Sequence, residues 1–350
     1  MLTKVRIVGS GLIGTSIGLG LVQAGVAVEM VDADPANQAL AMDLVSGSQL
    51  SKPELVIFAL PISQLALVMK EEFQLNPQST FMDVASVKGE VVLDVETVSG
   101  LSSRFVPTHP MAGREIGGAG AARADLFQGR SWIVTPTADL AAQSRELVEE
   151  LISKLGATSI ELTPIDHDRA VAKISHMPQI AASLLAKQLQ GTPTEWIELA
   201  GQGLRDTTRI AGSDESLWKE IIYSNRNELR ALLINLQSDL QEMINSLDDP
   251  SKIAELIASG RSGKALIPGK HGGKAREYSH LPIVIDDKPG QLGAIFNECA
   301  AMDVNVEDLL IEHSPGQLSA LITLALSHSD AEKLSTHLSS IGWNVHPIRK

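Results

Sequence analysis

The chain has 350 residues, of which 44% are hydrophobic and 20% charged, a composition typical of a folded protein with two or three domains. A net charge of −13 and only 3% aromatic residues argue against a nucleic-acid-binding surface. No apolar stretch approaches the roughly 18–20 residues of a membrane helix, and a single cysteine, Cys299, fits a reducing compartment. We therefore expect a cytoplasmic protein that binds neither nucleic acid nor membranes.

A glycine-rich turn follows the first predicted strand, at residues 5–8. A helix is expected after the turn, to about residue 23, and a second strand at 26–31. The three glycines of the turn would allow a tight bend, close approach of a pyrophosphate and helix–strand packing, while the helix N-terminus offers free N–H groups to phosphates. The expected cofactor-binding residues of this turn are Gly9, Gly11, Leu12, Ile13 and Gly14.

The end of the second strand predicts which dinucleotide binds. Asp32 lies 21 residues after Gly11, where an acid accepts hydrogen bonds from ribose hydroxyls and repels a 2′-phosphate. NAD is therefore favoured over NADP, although Asp34 or a nearby basic residue leaves the selectivity ratio open. Leu60 and Pro61 end another buried strand and are expected to border the nicotinamide half of the cofactor.

Strands and helices alternate through the first 165 residues. Further strands are predicted at 55–60, 80–84, 104–107, 132–135 and 159–162, with helices between several of them, as at 63–72 and 140–155. This order indicates an α/β domain, residues 1–165, with a mostly parallel, doubly wound sheet.

The pattern becomes helical after Pro164. Residues 166–259 show no convincing strand, and apolar residues between 229 and 243 recur at helical spacings of three and four. Such a helix packs in its own domain or, less often, crosses a dimer interface.

Residues 260–279 contain five glycines and five basic residues against one glutamate, which predicts a basic, glycine-rich linker. It is either a solvated connector or a segment lying across an acidic neighbour or an anionic ligand.

The strand signal returns in residues 280–350. Strands are expected at 281–285, 304–313, 318–326 and 343–348, and helices at 290–302 and 329–341. The order βαββαβ predicts a ferredoxin-like α+β domain. The histidines of this region show no metal-ligand spacing, so no metal site is expected.

Four segments concentrate polar residues at predicted strand ends or on helices, namely residues 83–89, 108–115, 174–179 and 203–211. Taken singly, three of their residues have plain explanations: His109 as a loop histidine, His176 as a buried core histidine, and Arg209 as a surface arginine. Together, over about residues 5–260, they resemble the prephenate and arogenate dehydrogenases of tyrosine biosynthesis. The matching motifs are H-P-x-A-G at 109–113, S-V-K-G at 86–89 and R-D-x-T-R-I at 205–210.

The resemblance implies a Rossmann domain joined to an all-helical dimerisation domain in a homodimer, with NAD-dependent oxidative decarboxylation as the activity. By the same resemblance, His109 accepts the proton of the substrate's ring hydroxyl, Ser86 orients that hydroxyl beside the nicotinamide, and Arg209 binds the ring carboxylate. The other implied substrate-binding residues are Ser175, His176, Gln179 and Trp218, with Glu115 and Asp206 as an acidic pair at the pocket entrance.

One position departs from the family pattern. Gln179 stands where the family's helix motif often has a histidine that contacts the substrate side chain. A neutral amide brings no positive charge, so prephenate is favoured but arogenate stays open.

The turn after residue 286 resembles the D-K-P-G-x-L turn of ACT domains, with Asp303 in place of a usual glycine. This implies feedback binding of L-tyrosine, or an ACT module that only supports dimerisation. The implied effector-binding residues are Asp287, Pro289, Gly290, Leu292 and Asn305.

Two other classes compete with this interpretation. A non-catalytic, ligand-sensing regulator would keep the same modules but would not need His109, Ser86 and Arg209 together. A β-hydroxyacid dehydrogenase of similar architecture would show a catalytic lysine in the helical domain, for which Lys173 is the near candidate.

Overall fold

The computed structural model describes residues 1–113, 116–267, 278–313 and 318–349. The chain forms two compact units, Met1–Leu240 and Gln241–Lys350. Within the described ranges, no helix is both long and apolar enough to cross a membrane.

The N-terminal unit is built on a five-stranded parallel sheet. Its strands are β1 (Lys4–Val8), β2 (Ala27–Val31), β3 (Leu55–Phe58), β4 (Thr80–Asp83) and β5 (Phe105–Val106). They lie in the order β2-β1-β3-β4-β5. The helices that follow successive strands are α1 (Leu12–Gln23), α2 (Pro35–Val45), α3 (Ile62–Leu75) and α4 (Gly89–Glu96). The predicted alternation of strands and helices is confirmed, and the carboxyl ends of the strands meet at one edge.

Both faces of this sheet are buried. Val5 and Ile7 pack into one apolar cluster with α1, whereas Val56 and Phe58 pack into a second cluster with α3. Side chains alternate between the two faces of a strand, so burial on both faces makes the strands nearly continuous apolar runs.

A second, smaller sheet was not foreseen. It contains β6 (Thr108–Pro110), β7 (Ser131–Val134) and β8 (Thr158–Glu161), with α5 (Ala142–Lys154) between the last two. Strand β6 is antiparallel to β7, and β7 is parallel to β8. The prediction of one continuous sheet is wrong here: Pro107, which has no N–H to donate, separates β5 from β6. The break places His109 on the new strand.

The next part of the chain is helical, and residues 166–259 form no strand, as predicted. The helices are α6 (Pro164–Val171), α7 (Met177–Lys187), α8 (Thr194–Ile197), α9 (Gln202–Thr208), α10 (Glu215–Ser224) and α11 (Arg226–Asn245). A π-helical turn, Ala172–His176, joins α6 to α7, and a 3₁₀ turn, Arg209–Gly212, follows α9.

Helix α12 (Pro250–Lys264) changes the prediction for the linker. Residues 260–264, expected to belong to a glycine-rich connector, form its last turn and a half. The Asp249 side chain caps this helix by accepting a hydrogen bond from the backbone N–H of Ser251. An internal glycine costs only about 1 kcal/mol of helix stability, so the helix continues past Gly260 and Gly263. Residues 268–277 of the predicted linker lie outside the described residues.

The C-terminal unit carries a four-stranded antiparallel sheet. Its elements are β9 (Ser279–Asp286), α13 (Gln291–Ala301), β10 (Asp308–His313), β11 (Ser319–Leu326), α14 (His328–Ser340) and β12 (Asn344–Val345). The strand order is β10-β11-β9-β12, and the predicted sequence of elements, βαββαβ, is confirmed. Strand β12 is shorter than predicted because Pro347 cannot donate a ladder hydrogen bond.

Candidate active site

The three glycines of the turn between β1 and α1 meet different surroundings. A Cβ at Gly9, whose φ is +110°, would clash with the backbone oxygen of Ala59, and a Cβ at Gly14 would clash with the backbone oxygen of Gly9. A Cβ at Gly11 would have no heavy atom within 4 Å. The protein's own packing therefore explains Gly9 and Gly14, while Gly11 leaves open space at the turn.

Polar groups surround that open space. Gly11 is the N-cap residue of α1, and no side chain caps the helix. The hydroxyl oxygen of Ser10 is buried without a hydrogen-bond partner in the described part of the chain. Asp32, at the end of β2, accepts hydrogen bonds from the backbone N–H groups of Ser10 at 2.6 Å and of Asp34 at 3.0 Å.

This arrangement fits a dinucleotide. Uncapped N–H groups and the positive end of a helix dipole attract phosphates, and an ordered carboxylate at the end of β2 suits ribose hydroxyls. Leu12, Ile13 and Gly14 lie in the first turn of α1, and Leu60 and Pro61 lie in the loop between β3 and α3. These expected cofactor residues therefore lie just beyond the carboxyl ends of the parallel strands.

The segments 83–89 and 108–115 are joined by a fully buried ion pair between Lys88 and Asp83. The ammonium group of Lys88 contacts the carboxylate of Asp83 and donates to the backbone oxygen of Thr108 at 2.7 Å. Thr108 N donates to Asp83 at 3.0 Å, and the Thr108 hydroxyl accepts from the indole N–H of Trp132 at 2.9 Å. These bonds hold the backbone immediately before His109.

His109 belongs to a chain of hydrogen bonds that reaches α6. Its Nδ1 lies 2.9 Å from Nε2 of His167, and Nδ1 of His167 lies 2.8 Å from Oδ1 of Asp168. The two imidazole rings are nearly perpendicular, at 74°. His167 is completely buried and His109 is half-buried. His109 therefore sits at the outer end of a buried donor–acceptor chain.

Asp168 also fixes the start of α4. Its two carboxylate oxygens accept from the backbone N–H groups of Lys88 at 2.7 Å and Gly89 at 2.8 Å. Asp168 thus satisfies two N–H groups at a helix N-terminus and links α6 to the segment containing Ser86.

His176 lies beside the same cluster. Asn225 donates to the backbone oxygen of Asp168 at 2.8 Å and lies 3.1 Å from Nδ1 of His176. The ring of Trp218 meets the ring of His176 edge-on, with 6.0 Å between centroids. The π-helical turn places both Ser175 and His176 here, and such turns are frequent at functional sites.

Gln179 lies one turn further along α7 and is buried. Its amide nitrogen donates to the backbone oxygen of Ile210 at 2.9 Å, and its amide oxygen accepts from the Ser213 hydroxyl at 3.4 Å. Gln179 therefore holds the 3₁₀ turn that begins with Arg209, whose side chain is exposed.

Two histidines of this cluster, His109 and His176, are neutral at physiological pH. Burial lowers the pKa of His109 well below its usual value, and the nearby Lys88 ammonium group lowers it further. Burial lowers the pKa of His176 to about 4, although Asp168 opposes the shift. A neutral imidazole can accept a proton at physiological pH.

The remaining predicted site residues differ in burial and in their contacts. Ser86 lies in the loop between β4 and α4, and Ser175 in the π-helical turn; both are half-buried, and neither hydroxyl bonds to the His109 ring within the described residues. Asp206 is exposed and accepts from Gln202 at 2.7 Å. Glu115, its expected partner, lies outside the described residues. Lys173 is exposed.

Sequence reasoning missed several members of this cluster. His167, Asp168 and Asn225 were not singled out, and Asp83, Lys88 and Thr108 were quoted within motifs without a role. The adjacent pair His167-Asp168 shortly after the predicted domain boundary was the available signal.

Comparison with known proteins gives the family. Residues 17–161 match the nucleotide-binding domain of prephenate dehydrogenase, and residues 163–258 match its dimerization domain. The chain is 28% identical over 355 residues to a probable prephenate dehydrogenase, NovF, of Streptomyces niveus, covering 96% of this chain and 98% of the relative.

Two solved structures resemble about three quarters of the chain. Prephenate dehydrogenase from A. aeolicus, in complex with hydroxyphenyl propionate and NAD+, is 26% identical with a TM-score of 0.68, covering 76% of this chain and 99% of that one. Arogenate dehydrogenase from Synechocystis is 25% identical with a TM-score of 0.63, covering 76% and 100%. With both matched domains in order and the glycine turn and histidine cluster in place, the chain belongs to the prephenate dehydrogenase family of NAD-dependent oxidoreductases.

Proposed function

We propose that this chain oxidises and decarboxylates prephenate to 4-hydroxyphenylpyruvate. The observation that carries the proposal is His109, a neutral, half-buried histidine held by a buried hydrogen-bond chain in the H-P-x-A-G motif of the family. The sheet edge beside it fits NAD, which would accept the hydride. Gly11, the first turn of α1 and Asp32 would hold that cofactor.

His109 acts on the ring hydroxyl in this proposal. Loss of hydride from C4 of the ring draws electrons from the C4 oxygen, so the hydroxyl proton becomes acidic and passes to the neutral imidazole. The bond between C1 and its carboxylate breaks, CO2 leaves, and the ring becomes aromatic. The overall conversion releases no net proton, so the proton taken by His109 returns to the oxygen of the product.

The other residues bind and orient the substrate. Arg209 would hold the ring carboxylate, because a planar guanidinium forms paired hydrogen bonds with a carboxylate. Ser86, in the loop held by Asp168, would orient the hydroxyl, and Ser175, His176 and Trp218 would line the pocket. The hydrogen bonds of Gln179 to Ile210 and Ser213 support a role in holding the Arg209 turn as well as in facing the substrate side chain.

Initial rates test this assignment and its alternative. We expect the highest kcat/KM with prephenate and NAD+, measured against arogenate and against NADP+. A higher kcat/KM with arogenate would make the chain an arogenate dehydrogenase, and no turnover of either substrate would favour the ligand-sensing regulator.

We also propose three domains, at residues 1–165, 166–259 and 280–350, and a homodimer formed through the helical domain. Exposed apolar side chains such as Trp196, 68% exposed, and Leu199, 82% exposed, support association through these helices. Sedimentation at micromolar concentration is expected to give twice the monomer mass. A single monomeric species would contradict the dimer.

The C-terminal unit is proposed to be an ACT domain that senses L-tyrosine. Gly290 has a φ of +91° and begins α13 without a side-chain cap, which leaves N–H groups for a ligand. Asp287, Pro289, Leu292 and Asn305 are exposed around or near this turn. A cavity of about 300 Å³ beside it is lined by Asp286, Gln291 and Trp343, among others.

Inhibition of the full chain by L-tyrosine tests this role. We expect Leu292→Ala and Asn305→Ala to raise the tyrosine concentration needed for half inhibition, while Glu332→Gln, an exposed change on α14, leaves it unchanged. Absence of inhibition of the unmodified chain would favour an ACT module that serves only dimerisation.

A further inference from the structure

For a neutral His167, the contacts of the chain His109–His167–Asp168 determine where the hydrogens lie. Asp168 accepts hydrogen bonds from the backbone N–H groups of Lys88 and Gly89, one to each carboxylate oxygen, so both oxygens act as acceptors. A carboxylate has no hydrogen to donate. The 2.8 Å contact between Asp168 and His167 therefore requires a hydrogen on Nδ1 of His167.

The same reasoning extends to His109. A neutral imidazole with its hydrogen on Nδ1 presents an acceptor at Nε2. The 2.9 Å contact between Nε2 of His167 and Nδ1 of His109 then requires the hydrogen to be on His109. This leaves Nε2 of His109 with its lone pair.

We propose that His167 and Asp168 are positioning residues that hold His109 as its Nδ1–H tautomer, with Nε2 ready to accept a proton. The inference rests on the proposed function for the identity of that proton, which is the hydroxyl proton of the substrate. Without the chain, His109 would be free to carry its hydrogen on Nε2 and could not act as a base at that atom.

The surroundings support a neutral His109. The charged and titratable groups around its ring are the Lys88 ammonium group, His176 on the segment before α7, His167 on α6, and Asp168 behind His167. Lys88 opposes a positive charge on the resting ring, and burial opposes it further. His167 is completely buried, so its link to Asp168 is shielded from water.

Nitrogen NMR of the resting enzyme tests the tautomer directly. In full-length protein labelled with ¹⁵N-histidine at pH 7.5, the His109 signals, identified by their loss in His109→Asn, should show a protonated Nδ1 and an unprotonated Nε2. An Nε2–H tautomer, or a doubly protonated His167, would overturn the proposal.

Variants test the consequence for turnover. His167→Leu removes both ring nitrogens, and kcat with prephenate should fall by about 100-fold or more, while KM and the NAD+ dissociation constant change less than about threefold. His167→Gln, whose amide both donates and accepts, should recover at least about tenfold of that loss. His346→Leu, at an exposed histidine of the C-terminal unit, should leave kcat unchanged.

The two proposals fail in different ways. If the unmodified chain does not turn over prephenate, the proposed function fails, whereas the NMR signals of the resting enzyme still report the tautomer. If prephenate is turned over and a folded His167→Leu retains the full kcat, the positioning role fails alone.

Discussion

Lys88 and Asp83 form an ion pair whose side chains are both completely buried. Burial raises the pKa of Asp83 and lowers the pKa of Lys88, and the attraction between them opposes both shifts. The pair also binds the backbone of Thr108, so its geometry decides where the neighbouring His109 lies.

Lys88→Met should be strongly destabilising. It leaves the Asp83 carboxylate buried without its cation, which costs about 3–5 kcal/mol in comparable pairs. Urea unfolding at pH 7.5 should show this loss. The double variant Lys88→Met/Asp83→Asn removes the buried charge and should be more stable than Lys88→Met alone. If the double variant were less stable than the single one, the buried charge would not be the cause.

His109→Asn should lower kcat by about 10²–10⁴-fold, because general base catalysis contributes that much. KM for prephenate should change little, since the proposed carboxylate contact is made by Arg209. Steady-state rates at saturating NAD+ measure both constants. His346→Asn is the matched control. Near-normal turnover in His109→Asn would remove His109 from the chemistry.

Stability should fall as the pH drops from about 6.5 to 4. His176 has a pKa of about 4 in the folded chain and an ordinary value near 6.5 when unfolded, so the unfolded state binds more protons in this window. The stability present above pH 6.5 is lost progressively, by about 3 kcal/mol in total. Unfolding free energies measured from pH 7.5 to 4 should show this slope, and a His176→Gln variant should show a smaller one.

The glycine turn offers a matched pair of variants. Gly14→Ala places a methyl group against the backbone oxygen of Gly9 and should lower the unfolding temperature. Gly11→Ala meets open space and should fold normally, but it should raise the dissociation constant for NAD+ because its methyl group occupies the space proposed for the pyrophosphate. Cofactor titration and thermal unfolding measure the two effects. Equal NAD+ affinity in Gly11→Ala and the unmodified chain would place the pyrophosphate elsewhere.

Asp303 takes a backbone conformation that glycine prefers. Its φ is +50°, in the residue after the C-cap of α13. Asp303→Gly should stabilise the C-terminal unit by about 0.5–1 kcal/mol, and Asp303→Ala should destabilise it, since alanine tolerates left-handed backbone less well than aspartate. Chemical unfolding of the three chains gives the order, and a more stable alanine variant would contradict it.

Local signals in the sequence were enough to predict the strand, turn and helix that carry the residues proposed to bind NAD. The turn at Gly9–Gly14 and Asp32 lie within about 25 residues, so spacing along one strand–helix–strand unit placed them. The same holds for the βαββαβ order after residue 278, where apolar periodicity and turns are local.

The histidine cluster around His109 could be predicted only in part. Motifs identified His109 and His176, but the contact between His109 and His167 joins residues 58 positions apart, on β6 and α6, and no local pattern predicts it. A proline or glycine can either end a helix or strand or be tolerated in it, depending on the surrounding structure. The sequence alone therefore did not predict that β5 ends before Pro107 or that α12 continues past Gly260.

The hydrogen bonds from Lys88 N and Gly89 N to Asp168 join two regions of the chain. They fasten the segment that matches the nucleotide-binding domain to the segment that matches the dimerization domain, directly behind His109. Ser63 donates to Glu220 and Arg226 donates to Glu90 across the same junction. The same carboxylate accepts from His167, so the junction between the two segments and the hydrogen-bond chain to His109 depend on one side chain, that of Asp168.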